Sequence, residues 1–543
     1  MNRIFYASAH TLKHRDQFFS FKEDMKDHCS RRSHEILTGL LNDPTKKHIL
    51  LSIRSITVNS VPKRKNWRIR TEFDKPTRQA HEKKWLLFAD LLSRIPHLKS
   101  FTLQGTDQIS VALLDAFERY HPQAHLHVQN WTRIEDDEDH NNAAEIALAR
   151  SPNLRSLQAR LWDTTYIDLH RGALKRIVAV SPNLDTLDIS EGSSGLVRRV
   201  ITPEESQQTS VMLEKFSEDA VPSSNSILSL SCRGTYHALN LGDVTDLSKL
   251  ELLEVGRVAD IYYSGNNQWH GEKFPRLKHL SFTLDGPRVD RLDRGIELFL
   301  YTCSPLQSLK VTDGAIHLPL SVISPHANTL RTLVWHNTEM AGSEASSYAI
   351  SLREVQELSE RCHILEDITI DAEKLSVEGG MNEILAALAA FPLLHTIRIY
   401  IPLGVAEEAA RTPHMFLDED ETRAEIEAHC RNPFNPMEDS CWLENAWSLL
   451  RHEKKKNGSR PLMELHVKVG EWEREMSSGY PAGWVVWEAA NRRYFIATPH
   501  ERDDRPNDIN IYTKGTKPYS NVDSHEIRRI PEFVDLWDCG LPS

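Results

Sequence analysis

The sequence predicts an α/β chain folded as a solenoid, with parallel strands inside, helices outside and a C-terminal α+β cap. Three observations carry that prediction. The first is a recurring phrase, a small residue, Pro, a variable residue and Leu, then a second Leu, which runs each time into a β-like stretch. It reads SPNLRSLQA at 151–159, SPNLDTLDI at 181–189, FPRLKHLSF at 274–282 and CSPLQSLKV at 303–311. HILEDITI at 363–370 and FPLLHTIRI at 391–399 continue it, with weaker copies at 95–103, 247–255 and 327–335.

The second observation is the spacing. The first Leu of each copy falls at 154, 184, 250, 277, 306, 330, 365 and 394, giving steps of 30, 66, 27, 29, 24, 35 and 29. A further candidate strand, SILSLSC at 226–232, splits the long step. Periods of this size suit one strand plus one helix per unit. The third observation is what lies between. In KKWLLFADLLSRI (83–95), Trp85, Phe88, Leu91, Leu92 and Ile95 share one helical face. DRGIELFLYTC (293–303), LREVQELSERC (352–362) and NEILAALAAF (382–391) behave the same way. Strands separated by helices lie parallel through right-handed crossovers. A lone unit of this size buries too little to offset its chain entropy, so neighbours must close both of its faces. An ordinary doubly wound α/β domain is the competing reading.

Period-two alternation identifies the side chains that leave the core. The outward positions are Ser156, Gln158 and Arg160; Thr186, Asp188 and Ser190; and His279, Ser281 and Thr283. They continue as Ser308, Lys310 and Thr312; Asp367, Thr369 and Asp371; then Thr396, Arg398 and Tyr400. From these, Gln158, Arg160, Asp188, His279, Lys310, Asp367, Asp371, Arg398 and Tyr400 form the candidate protein-binding face, against a reading as a merely solvated sheet. Trp335 alternates inward and is expected in the core.

Composition narrows the function classes. The chain has 543 residues, 40% apolar and 26% charged, as in an ordinary globular protein. No apolar run reaches the roughly 18 residues that cross a bilayer, so no membrane association is expected. No N-terminal segment reads as a secretion signal. Net charge of −12 argues against a nucleic-acid partner. Seven cysteines, an odd number without a C-x-x-C pair, fit reduced thiols in cytoplasm and/or nucleus. Cys303 and Cys362 fall where helices hand over to strands and read as small buried residues. The run Lys454-Lys455-Lys456 beside Asn457-Gly458 reads as a solvated turn.

The repeat resembles leucine-rich repeats in their irregular, long-period form, over about residues 96–405 with an outlying strand at 462–470. That family's L-x-x-L-x-L is matched by Leu306, Leu309 and Val311, and by Leu394, Ile397 and Ile399. Its Asn-ladder position is mostly lacking, with His336-Asn337 one of few candidates. The N-terminus resembles fungal F-box proteins, from the end of the F-box into the first repeat strand. The matching residues are Arg3, Phe5, Tyr6 and Ala9; Ile36, Leu37, Leu40, Leu41, Asp43 and Pro44; and Arg54 to Val58. The L-P-x-E-[IL] opening and two amphipathic helices are missing, because Met1 falls inside the last F-box helix. Either the start codon is placed too far downstream or the F-box is a relic. The resemblance implies a substrate receptor related to Skp-cullin-F-box ubiquitin ligases. It implies docking to a Skp-type adaptor only if the missing F-box half is restored. The alternative is a stand-alone leucine-rich-repeat scaffold with no ubiquitin link.

These elements divide the chain into four parts. Residues 1–24 are an F-box remnant and its following strand, and 25–95 a helical and strand cap leading into the repeats. Residues 96–405 are the solenoid, and 406–543 the C-terminal α+β cap and polar tail. In that last part, 437–456 reads as an amphipathic helix with Trp442, Trp447, Leu449 and Leu450 clustered. GWVVWEAANRRYFIATP (483–499) reads as a hairpin, and its likeness to the first strands of a WW module lacks the third-strand Trp-x-x-Pro. The tail from 500 reads as loose up to an apolar patch at 530–537.

Reactive machinery is not evident in the sequence. No phosphate-cradling Gly loop, H-E-x-x-H or G-x-S-x-G appears. His125 and His127 share a strand face without a third ligand and read as packed or solvated histidines rather than a metal site. The acidic runs at 135–139 and 417–421 read as solvated loops. The expectation is a non-catalytic binding protein without metal or cofactor, gripping a protein partner.

Overall fold

The computed structural model describes residues 15–22, 28–61, 75–105, 109–131, 143–162, 167–192, 227–233, 246–256, 274–284, 289–313, 318–337, 349–373, 381–402, 436–470, 494–499 and 509–514. The chain divides into two compact units, Met1–Leu333 and Val334–Ser543.

In the first unit ten strands follow one another in chain order, every neighbouring pair parallel. They are β1 (Asp16–Lys22), β2 (Ser55–Val61), β3 (Ser100–Gln104), β4 (His125–Trp131) and β5 (Leu154–Trp162). Then come β6 (Thr186–Gly192), β7 (Ser229–Arg233), β8 (Leu252–Val255), β9 (His279–Thr283) and β10 (Ser308–Thr312). Parallel neighbours require a crossover, and helices supply most of these. Between β1 and β2 run α1 (His28–Asn42) and α2 (Lys47–Ser52); α3 (Lys75–Arg94) precedes β3 and α4 (Val111–Tyr120) precedes β4. Next α5 (Ala143–Arg150) leads to β5, α6 (Ile167–Val180) to β6 and α7 (Val289–Thr302) to β10. The expected period is realised, and the parallel ladder starts at β1, well before residue 96.

The repeated Leu positions are the reason these units stack. Leu154, Leu184, Leu250, Leu277, Leu306 and Leu330 are all buried, as is the predicted face of α3, Trp85, Phe88, Leu91, Leu92 and Ile95. Phe88 of α3 meets Phe19 edge-on at 5.4 Å and Phe101 at 6.3 Å, and Phe101 meets Phe117 of α4 at 5.2 Å. Such T-shaped pairs add to the gain from burial. Gly105 leaves β3 with φ +108, where a Cβ would stand 2.3 Å from the Ser60 carbonyl oxygen. Only glycine allows the two backbones this approach.

Hydrogen bonds also tie each turn to the preceding one. Asn153 Nδ2 donates to the carbonyls of His121 (2.9 Å) and Ala124 (2.8 Å), and Asn183 Nδ2 donates to that of Pro152 (2.8 Å). In both SPN phrases the asparagine thus ties its turn to the one before it. On the outer edge strand the Ser20 N–H is capped by the Ser33 hydroxyl of α1 at 2.9 Å, which occupies an exposed donor.

Strand β11 (Thr332–His336) spans the division between the units. In the second unit α8 (Leu352–Arg361), β12 (Asp367–Asp371), α9 (Met381–Ala389), β13 (Thr396–Ile401), α10 (Pro436–Asn457) and β14 (Glu464–Val469) continue the strand–helix alternation. Helix α8 opens with a capping box between Ser351 and Glu354. Strands β12, β13 and β14 are parallel, so the outlying strand at 464–469 is a regular continuation. The direction then reverses: β15 (Tyr494–Pro499) and β16 (Ile509–Lys514) pair antiparallel.

Three expectations for the C-terminal part are corrected here. Lys454, Lys455 and Lys456 lie in the last turn of α10, not in a solvated turn, and Lys454 is buried. The inward residues of α10 are Leu443, Ala446, Trp447 and Leu450, while Trp442 and Leu449 sit at its margin. Residues 509–514 form a strand rather than a loose tail. The partner strand expected within 483–493, the acidic runs at 135–139 and 417–421, the patch at 530–537 and Arg3, Phe5, Tyr6 and Ala9 all lie outside the described residues.

The protein is thus α/β, with parallel strands alternating with helices and an antiparallel close to the second unit. No helix among the described residues is long and apolar enough to cross a membrane.

Candidate protein-binding face

Alternation places one set of side chains on the core and the other on the opposite face of each strand. In the first unit, Gln158, Asp188, Ser231, Glu254, Ser281 and Lys310 stand at one register position on β5 to β10. Five of the nine predicted residues lie in this unit. Four of them occupy or flank this row: Gln158, Asp188, Lys310 and, two positions beyond Gln158, exposed Arg160. The fifth, His279, sits one step toward the strand starts, level with Leu252 and Ser308.

Neighbours in the row bind one another. Gln158 Nε2 donates to Asp188 Oδ2 at 2.8 Å, and the Ser231 hydroxyl donates to Glu254 at 3.1 Å. The hydroxyls of Thr283 and Thr312 meet at 2.7 Å. The other Asp188 oxygen, Oδ1, is buried without a partner, as is His279 Nδ1. Burial lowers the His279 pKa, assisted by Lys278, so its ring is neutral at physiological pH. His127 is held neutral in the same way, and its Nδ1 lies 2.8 Å from the Ser156 hydroxyl. Its ring centre is 6.2 Å from that of His125, and no cluster of three metal-binding side chains occurs among the described residues.

The second unit holds the other four, and here alternation predicts direction but not exposure. Asp371 and Tyr400 are only 4% and 6% exposed, and Thr369 and Thr396 are buried too. Asp371 Oδ1 lies 2.5 Å from His336 Nδ1, and its Oδ2 accepts the Asn337 N–H at 2.6 Å. The His336 ring stacks on Tyr400 with centres 3.9 Å apart, and Lys468 Nζ stands 5.7 Å from the Tyr400 ring centre. These large neighbours fill the space that a serine or threonine would have left open. Asp371 and Tyr400 are therefore internal supports rather than a contact surface. Thr369 Oγ1 is buried beneath them without a hydrogen bond.

Asp367 and Arg398 remain partly exposed and form a salt bridge. Burial opposes the Arg398 charge, but Asp367, with Glu464 nearby, outweighs it and raises the guanidinium pKa. Glu464 is lowered chiefly by its bond to His466 Nε2 (2.9 Å), whose Nδ1 faces the Tyr494 hydroxyl at 2.9 Å. The His466–Tyr494 pair escaped sequence reasoning because the two lie on antiparallel strands separated by an unreadable connection. Chemically, this face offers hydrogen bonds and charge. The buried thiols are unreactive, since burial raises Cys303 to about 12 and Cys362 to about 11. Trp335, as its alternation predicts, is fully buried.

Comparison of the chain with protein-family models and with curated proteins finds no match to either.

Proposed function

We propose that this chain is a non-catalytic protein-recognition module, an irregular leucine-rich-repeat solenoid of the F-box type described from its sequence. Its role is that of a substrate receptor related to Skp-cullin-F-box ubiquitin ligases. The observation that carries the recognition reading is the row from Gln158 to Lys310. Six consecutive strands present short polar or charged side chains at one register position. Small hydroxyls around that row, such as Ser156, Ser281 and Ser308, leave a partner's backbone room to approach. Arg160 and Lys310 at either end of that stretch offer charge to it.

The ubiquitin link rests on the resemblance of residues 2–58. Coupling to a Skp-type adaptor is proposed only for a chain carrying the opening F-box helices. The receptor itself performs no chemistry and acts by raising the local concentration of its substrate near the ligase.

Two arms test this. An upstream-extended chain is mixed with purified Skp adaptor, and co-elution is expected; failure removes the ligase link and leaves the stand-alone scaffold. A partner identified by in-cell crosslinking is then titrated against Arg160→Glu/Lys310→Glu. At least a tenfold loss of affinity with unchanged unfolding is expected, and undiminished binding refutes the face.

A further inference from the structure

Charge is divided unevenly along this chain. Residues 1–131 carry 22 Lys and Arg against 13 Asp and Glu, whereas the rest carries 43 against 64. The basic surplus includes a second dense run, Lys63-Arg64-Lys65 with Arg68 and Arg70, outside the described residues.

Within the fold the surplus has a definite place. Residues at the strand starts form a row of their own, linked by main-chain bonds. The Arg54 N–H donates to the Arg15 carbonyl at 2.8 Å, and the Lys99 N–H to the Arg54 carbonyl at 2.7 Å. Arg15, Arg54 and Lys99 are thus adjacent on β1, β2 and β3, roughly 4.8 Å apart from strand to strand.

Further along the same row the charges alternate and neutralise one another. Arg155 pairs with Asp185 at 3.4 Å, and Glu251 with Lys278 at 2.8 Å. Among the described residues, the first three positions lack that compensation. Among the described residues, Arg54 Nη1 donates to the carbonyls of Leu51 (2.8 Å) and Ile53 (2.9 Å). Arg15 and Lys99 are exposed, and no carboxylate among the described residues pairs with any of the three. Asp16, the nearest acid along β1, is exposed and likewise makes no ion pair among them. Like charges side by side on neighbouring strands destabilise a sheet. Three in succession therefore cost stability in the free protein, and a bound anion relieves that cost.

We propose that the Arg15–Arg54–Lys99 row docks a short run of Asp and Glu in a partner protein. Three rungs span about 10 Å, enough for a few carboxylates of an extended segment. A long polyanion such as nucleic acid is disfavoured by the acidic remainder of the chain. The inference deepens the recognition reading by naming the chemistry of the partner, and it uses different residues from the Gln158–Lys310 row.

The test is fluorescence anisotropy on the full chain with a dye-labelled ten-residue peptide of Asp and Glu spaced by Gly. A matched Asn/Gln peptide and a ten-nucleotide single strand serve as competing probes. The acidic peptide is expected to bind at low ionic strength and to weaken steeply toward about 0.5 M salt. Arg15→Glu/Lys99→Glu should reduce its affinity at least tenfold, and Lys99→Gln alone about threefold. The double variant should unfold no earlier than the parent, because it removes the repulsion. Arg353→Glu, on the exposed face of α8, should leave peptide binding unchanged. Equal affinity in the double variant, equal loss with Arg353→Glu, or tighter binding of the nucleotide overturns the proposal. Peptide binding without partner capture by the Gln158–Lys310 face sinks only the recognition reading. Capture without peptide binding sinks only this row.

Discussion

His336 and Asp371 form a buried pair, Nδ1 to Oδ1 at 2.5 Å, roofed by the Tyr400 ring stacked on the imidazole. The carboxylate also receives the Asn337 N–H, so one side chain organises the chain just beyond β11. Asp371→Ala takes away the carboxylate that the His336 ring and the Asn337 N–H share. A loss of about 1–3 kcal/mol is expected, read as a lower urea midpoint with unchanged slope. Asp371→Asn, which keeps one acceptor, should lose less. A variant as stable as the parent would show the pair to be incidental.

Lys454 is the second buried charge with a measurable consequence. Among the described residues its Nζ reaches only the Phe391 carbonyl, at 3.3 Å, and burial lowers its pKa from 10.5 to about 8. The unfolded chain therefore binds more protons between those values, and stability rises with pH from about 8 to 10.5, by up to about 3 kcal/mol. Urea unfolding at a series of alkaline pH values checks the slope. Lys454→Met should abolish it and raise stability at neutral pH.

His326 behaves in the opposite pH range. Fully buried, it accepts the Leu306 N–H through Nδ1 at 3.1 Å, and burial lowers its pKa from 6.5 to about 4. Only the neutral ring can make that bond. Its contribution is complete above pH 6.5 and is lost as pH falls toward 4, again by up to about 3 kcal/mol. His326→Leu should be less stable at neutral pH, because the Leu306 N–H loses its acceptor, yet less sensitive to acid between those values. An acid profile identical to the parent's refutes this role.

Asn153 joins two successive turns through its side-chain amide. Asn153→Ala removes both donors and leaves the carbonyls of His121 and Ala124 short of partners, at a cost of about 2 kcal/mol. Asn183→Ala, which removes one such bond, should cost about half as much. Equal values for the two would place the effect elsewhere, and thermal melts of both variants decide it.

These cases show where the sequence was readable. The Leu of each phrase marked the core because burial has a period, and every one from Leu154 to Leu394 is inside. The same period gave the outward direction of Asp371 and Tyr400, but exposure depends on what stands on the neighbouring strands. At those positions the neighbours are His336 and Lys468 instead of serines. Lys454 misled for a related reason: its position on α10 follows the helical period of Leu443, Trp447 and Leu450, which its two lysine neighbours disguise. Asn153 and Asn183 stand in a repeated SPN triplet, but the triplet alone does not say which carbonyls of the preceding turn their amides reach.

The reversal from β14 into β15 and β16 has a consequence for how such a chain can grow. A parallel array lengthens by copying one strand and one helix and adding the copy to an open parallel edge. At this end that edge is already taken by a strand running the other way. Duplicated modules of about 30 residues should therefore be accepted at interior helix-to-strand junctions, such as before Leu184 or Leu306. A module inserted directly after Val469 would have to displace β15 from the edge of β14 before its own strand could pair there.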